Sequence, residues 1–154
     1  MLNHSLQQSA DRPPWLLWLS VPLINNGMKQ TDLCKYLNNE IAFNELREGI
    51  SQELEEYEEQ SNIVGSSVPI NVEIQNKDCL LSFIQLHKLL TDFVSGEIGL
   101  IELQYISDCI QLSENIFVEN HVMNDWIFEM SDPEINGEFT KERAKEIIEK
   151  IKAV

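Results

Sequence analysis

Apolar positions recur at three- and four-residue steps through most of the chain after Thr31. Leu33, Leu37 and Ile41 share one helical face. Phe43, Leu46, Ile50, Leu54 and Tyr57 form a second stripe, and Glu53, Glu55, Glu56, Glu58 and Glu59 occupy its other side. Helical spacing returns at Lys77, where Leu80, Leu81, Ile84, Leu86, Leu89, Leu90 and Phe93 make a wide apolar face. Ile101, Tyr105, Cys109, Leu112 and Ile116 line the next, widened by Ile106 and Phe117. Val122–Met130 predicts a short helix with Trp126 and Ile127 buried. Ala144, Ile147, Ile148 and Ile151 mark the buried side of a closing helix.

Local chemistry punctuates these stripes. Gly96 suits the left-handed position after a helix C-terminus. Gly99 stands where an N-cap belongs, with Glu102 placed to reach back to it, although glycine offers no side-chain acceptor. Asp132-Pro133 reads as a cap followed by proline at the first helical position, or as a turn. Thr140 caps the last helix, and Lys145, Lys150 and Lys152 complement its C-terminal end.

The N-terminal half is less regular. Residues 1 to 14 read as a loose tail. Trp15 to Ile24 is apolar without a period, either a buried strand or a helix kinked at Pro22. Asn25-Asn26-Gly27 is a turn signal, and Ser61 to Pro69 a loop. Val68, Ile70, Val72 and Ile74 alternate as a short strand, with Trp15–Ile24 as its mate. The expected fold class is mainly α: a single-domain helical bundle of five or six helices over residues 1–154, with one or two short strands in the N-terminal half.

A hydrophobic content of 43% supports a packed core and excludes a disordered chain. The run Trp15–Ile24 is too short to span a bilayer. It has the length of a signal-peptide core, but Asp11 balances Arg12, two prolines precede it and no small-x-small site follows, so it reads as mature, buried structure. Cys34, Cys79 and Cys109 show no paired spacing. They read as reduced thiols of a cytoplasmic protein, with no metal site.

Charge changes the picture most. The net charge is -15, and between Lys88 and Lys141 eleven carboxylates occur without one lysine or arginine. This argues against nucleic acid or an anionic membrane as direct partner and fits a basic protein. Solvated helix faces normally mix signs, because Glu–Lys pairs at four-residue spacing add stability. On a helical wheel Asp108, Gln111, Glu114, Asn115 and Glu119 fall away from the apolar stripe, predicting an exposed acidic ridge. Asp132, Glu134 and Glu138 are the densest acids outside helices; they lack the ligand order of a calcium loop and read as a solvated acidic loop. The run Glu53–Glu59 reads as the wet face of its helix.

No nucleophile elbow, zinc-protease motif, phosphate-binding loop or dinucleotide fingerprint is present. His4, His87 and His121 stand apart in sequence. The chain reads as a non-enzyme with no catalytic residues, no cofactor and no metal.

The stretch Leu89-Leu90-Thr91-Asp92-Phe93-Val94-Ser95-Gly96-Glu97-Ile98 runs a helix end into "SGEI" and a new helix. An acidic stretch with a tryptophan follows, then Asp132-Pro133-Glu134-Ile135-Asn136-Gly137 and a Lys/Glu-rich closing helix. From about Asp78 to Lys152 this resembles the colicin D-type immunity family, which includes proteins guarding against contact-dependent growth inhibition toxins. Gly99 departs from the usual Ser or Thr. The resemblance implies an immunity-like bundle over 77–154, with 1–76 as an N-terminal extension or subdomain. It also implies a cognate toxin partner in a 1:1 complex, a ribonuclease domain that commonly cuts transfer RNA. The acidic surface would cover the toxin's basic cleft. Charge and resemblance together nominate Asp108, Glu114, Glu119, Asp125, Asp132, Glu134 and Glu138 as toxin-facing. The competing expectation is an acidic adaptor, or nucleic-acid mimic, that binds another basic protein.

Overall fold

A computed structural model describes residues 27–63, 65, 69–75 and 77–154; the expectations for the tail and for Trp15–Ile24 lie outside them. Among the described residues there are seven helices, one a single turn, and four short strands. In chain order they are β1 (Met28–Lys29), α1 (Gln30–Leu37), α2 (Phe43–Ser61), β2 (Val72–Glu73), β3 (Cys79–Leu81), α3 (Phe83–Ser95), α4 (Leu100–Leu112), β4 (Ile116–Val118), α5 (His121–Ser131), α6 (Pro133–Asn136) and α7 (Lys141–Lys152). The fold is mainly α, a helical bundle.

Helix α4 is the central element. Five consecutive residues, Leu103 to Ser107, and then Cys109 and Ile110 are buried. It packs chiefly against α5 and against α2, while α3 packs against α7. One hydrophobic cluster runs from Met28 to Ile148 and draws on both sides of residue 76, so the expected boundary there does not divide the core. The buried faces of α2, α3 and α7 follow the stripes expected from spacing, except that Ile84 on α3 is 77% exposed. Leu46, Ile50 and Tyr57 on α2, Leu86, Leu89, Leu90 and Phe93 on α3, and Ala144, Ile147 and Ile148 on α7 are all buried. Trp126 and Ile127 are buried on α5.

The expected caps form. Gly96 ends α3 at φ +85°, in the left-handed region where a side chain is strained. The Gly99 amide donates to Glu102 Oε2 at 3.0 Å. Asp132 accepts from the Ile135 amide at 3.1 Å ahead of Pro133, and Thr140 Oγ1 accepts from the Arg143 amide at 3.1 Å. Ser82 caps α3 through a capping box with Gln85, and Asn120 caps α5 through the Met123 amide.

Strand pairing departs from the sequence reading. Lys77 to Leu81 is not the start of a helix. Cys79, Leu80 and Leu81 alternate as buried, exposed and buried, the period of a strand. They pair in parallel with Ile116, Phe117 and Val118, two of which the spacing assigns to the preceding helix. The deciding bonds are non-local: the Cys79 amide donates to Asn115 O at 2.8 Å, and the Glu119 amide to Leu81 O at 3.0 Å. The alternation at 68–74 does contain a strand, but β2 pairs in parallel with Met28–Lys29.

The cysteines also depart from expectation. Cys34 on α1 and Cys79 on β3 form a disulfide, with Cα atoms 6.3 Å apart, and Cys109 is a free, buried thiol. Sequence spacing is no guide to a pair that meets only when α1 docks beside β3. No helix among the described residues is long and apolar enough to cross a membrane.

Candidate functional site

Nine of the eleven acids of the base-free window divide into two groups. Four are engaged within the fold. Asp92 accepts from Tyr36 Oη at 2.6 Å and from Lys88 Nζ at 2.9 Å. Glu102 holds the Arg47 guanidinium through Nε at 3.0 Å and Nη2 at 3.1 Å, and Glu129 holds Arg143 in the same two-pronged way at 2.7 and 3.1 Å. Asp108 accepts from Tyr57 Oη at 2.7 Å. Bases outside the window therefore reach in to neutralise part of it. Glu97, Glu114, Asp125, Glu134 and Glu138 are exposed, and their carboxylates form no ion pair among the described residues.

These engaged acids belong to a wider pattern. Each of the three tyrosines donates to a carboxylate, and the third, Tyr105, donates to Glu53 at 2.8 Å. Glu53 also accepts from the Asn71 amide at 3.2 Å and is buried, which corrects its assignment to the wet face of α2. Burial pushes its carboxyl up, and the hydrogen bonds from Tyr105 and Asn71 oppose that shift.

The acids converge at one place. A cleft of about 220 Å³ lies between the C-terminal half of α2, the middle of α4 and the α5–α6 junction. Asp108, Asp132 and Glu134 line it, with Tyr57 and Gln104 beside them and Ile63, Ile70 and Pro133 as apolar wall. No lysine or arginine is among its lining residues. Tyr57 is held edge-on against Tyr105, with ring centroids 5.4 Å apart. Asp108 is only partly exposed, so the expected ridge does not include it as a solvated acid. Burial raises its carboxyl above the usual range, the Tyr57 hydrogen bond opposes this, and the charge of Asp132 adds to it.

Neither family profiles, curated proteins nor solved structures match this chain.

The seven nominated acids therefore separate. Asp108, Asp132 and Glu134 share the cleft. Glu114 is exposed in the turn between α4 and β4, Asp125 on the outer side of α5, and Glu138 just before α7. Glu119 is exposed after β4 and accepts from the Phe83 amide at 3.3 Å. None of these four lines the cleft.

Sequence reasoning missed Tyr57 and Gln104 as site residues. Gln104 carried a signal: it is an amide inside the apolar run of α4, where a polar side chain needs a reason. It is 5% exposed, and its carboxamide makes no hydrogen bond among the described residues. What the cleft can do chemically is accept hydrogen bonds and attract cations. No group of three metal-ligating side chains occurs among the described residues.

Proposed function

We propose that this protein is an immunity protein. It binds a cognate nuclease toxin domain, a ribonuclease by resemblance, and covers the basic cleft that would otherwise hold RNA. One observation supports this most directly: three carboxylates, from α4, the α5–α6 junction and α6, line a single base-free cleft, with further unpaired acids exposed around the same half of the chain. A nuclease cleft must be basic to hold phosphates, and a surface of opposite sign competes for it. The inhibitor performs no chemistry and takes no cofactor or metal. The partner is a basic protein in a 1:1 complex, and neither nucleic acid nor membrane is bound directly.

Capture would be fast and salt-sensitive, since steering by opposite charge raises association rates by about 10- to 1,000-fold at low ionic strength. The test is co-expression with the nuclease domain encoded beside this gene, scoring survival and co-purification. Protection is expected from the native chain. Simultaneous reversal of Glu114, Glu119, Asp125, Asp132 and Glu134 is expected to abolish protection and flatten the salt dependence of association. If that variant protects as well as the native chain, the acidic surface is not the interface. Binding to a basic protein without protection against the nuclease would point instead to an adaptor.

A further inference from the structure

We infer that the cavity between α1 and β3 binds a small zwitterion that carries a primary carboxamide, a free amino acid of the glutamine or asparagine type. The cavity shares no lining residue with the acidic cleft, so it is a second site, independent of the toxin reading.

One buried side chain points to a ligand. Gln30 opens α1 and is 0% exposed, and neither its amide nitrogen nor its amide oxygen has a hydrogen-bond partner. Among the described residues no other buried side-chain nitrogen or oxygen is left in that state. An enclosed polar atom without a partner is costly, and native folds seldom keep one. Gln30 lines a cavity of about 320 Å³, a size within the range of small-molecule sites. Gln85, also in the lining, is already engaged: it donates to Asn38 Oδ1 at 2.9 Å and accepts from the Ser82 amide at 2.9 Å.

The unmet pair of atoms sets the head group of the ligand. An amide needs an acceptor at its nitrogen and a donor at its oxygen. A carboxylate only accepts and an ammonium only donates, so each leaves one Gln30 atom unmet. A second primary amide offers both on adjacent atoms and pairs with Gln30 through two hydrogen bonds. The charges set the rest of the molecule. Lys35, Lys77, Glu40 and Asp78 line the same cavity, all four are exposed, and none forms an ion pair among the described residues. Unpaired charge of both signs around one cavity suits a ligand with an α-carboxylate for the lysines and an α-ammonium for the acids. Cys34 on α1 and Cys79 on β3 also line it, and their disulfide holds the two walls together before a ligand arrives.

Calorimetric titration of the full chain, disulfide intact, with L-glutamine and L-asparagine tests the site. Saturable binding of at least one is expected, with backbone amide resonances shifting in residues 30–40 and 77–85. L-norleucine keeps the zwitterion and loses the amide; propionamide keeps the amide and loses the charges. Each is expected to bind at least about tenfold more weakly. Gln30→Leu is expected to abolish binding and to leave the urea midpoint unchanged or raised, because it deletes two unmet polar atoms. Lys35→Ala with Lys77→Ala, at exposed positions outside the core, is expected to weaken binding at least about fivefold. No saturable binding of either amino acid below about 10 mM would overturn the site. So would equal binding of norleucine or propionamide, shifts confined to the surroundings of Asp108, Asp132 and Glu134, or indifference to either variant. Should Gln30→Leu fail to fold, the double lysine variant decides.

Discussion

Tyr57 donates its hydroxyl hydrogen to Asp108 Oδ2 across 2.7 Å, tying the end of α2 to the middle of α4. The bond supports a carboxylate that burial makes unfavourable. Asp108 and Glu53 both have folded-state pKa values raised above the usual carboxylate range. A raised carboxyl binds more protons folded than unfolded, so its contribution favours folding at low pH and is lost as pH rises through the shifted value. Urea midpoints are therefore expected to fall as pH rises from the ordinary carboxylate range, about 4, through the raised values of these two groups. Asp108→Asn keeps an acceptor for Tyr57 and removes the charge; it should flatten that slope and leave stability at pH 8 unchanged or higher. Tyr57→Phe should cost about 1–2 kcal/mol at pH 8, the effect of stripping a donor from a partly buried charge.

All three tyrosines should resist alkaline ionisation. Burial raises each phenol, and carboxylate partners raise Tyr36 and Tyr57 further; the Cys109 sulfur, followed by Glu53, does so for Tyr105. A phenol raised in the folded state stabilises the fold below its ordinary value of about 10 and ceases to as pH climbs past it. Absorbance at the tyrosinate band is expected to stay flat through the normal phenol range and then rise together with loss of helical circular dichroism. A gradual rise in the still-folded protein would contradict the buried pairing.

The Cys34–Cys79 disulfide closes a loop with a sequence separation of 45. Constraint of the unfolded chain by such a loop is worth about 3–4 kcal/mol. A reductant should lower the urea midpoint of the native chain, and the double substitution Cys34→Ser with Cys79→Ser should reproduce the lowered value and abolish the reductant's effect. Equal midpoints with and without reductant would mean that the bond adds nothing.

Gly27 is confined by its neighbours. A Cβ there would lie 2.5 Å from the Asn71 backbone oxygen and 3.0 Å from Glu53 Oε2. The first is main chain and cannot swing aside. Gly27→Ala should cost about 1–3 kcal/mol, the usual range for overpacking, and lower the thermal midpoint by several degrees. Calorimetry reads this directly, and an unchanged midpoint would show that β1 and β2 separate freely.

The helices were legible because their cause is local. Apolar spacing marks the buried faces of α2, α3 and α7, and Gly96, Asp132-Pro133 and Thr140 act within one turn of the ends they define. Strand β2 was legible in the alternation at 68–74, but β3 and β4 were not, because Leu80 and Leu81 satisfy helical and extended spacing alike, and only Ile116–Val118 decides between them. The cleft was half legible. Asp132 and Glu134 stood out as a cluster, but Tyr57, Gln104 and Asp108 join them only through the docking of α2 on α4 and of α4 on α5. Charge counted along the sequence likewise hides which acids a distant arginine will neutralise. Arg47 lies 55 residues from Glu102.

The parallel pairing of β3 with β4 also sets an order of assembly. Residues 82–115, with both α3 and α4, lie between the two strands, so β3 leaves the ribosome long before its mate exists. Any product that stops within α4 strands the β3 ladder without hydrogen-bond partners and turns Leu81, fully enclosed in the finished molecule, toward water. Release of Val118 is thus the moment in synthesis at which that hazard to the nascent chain ends.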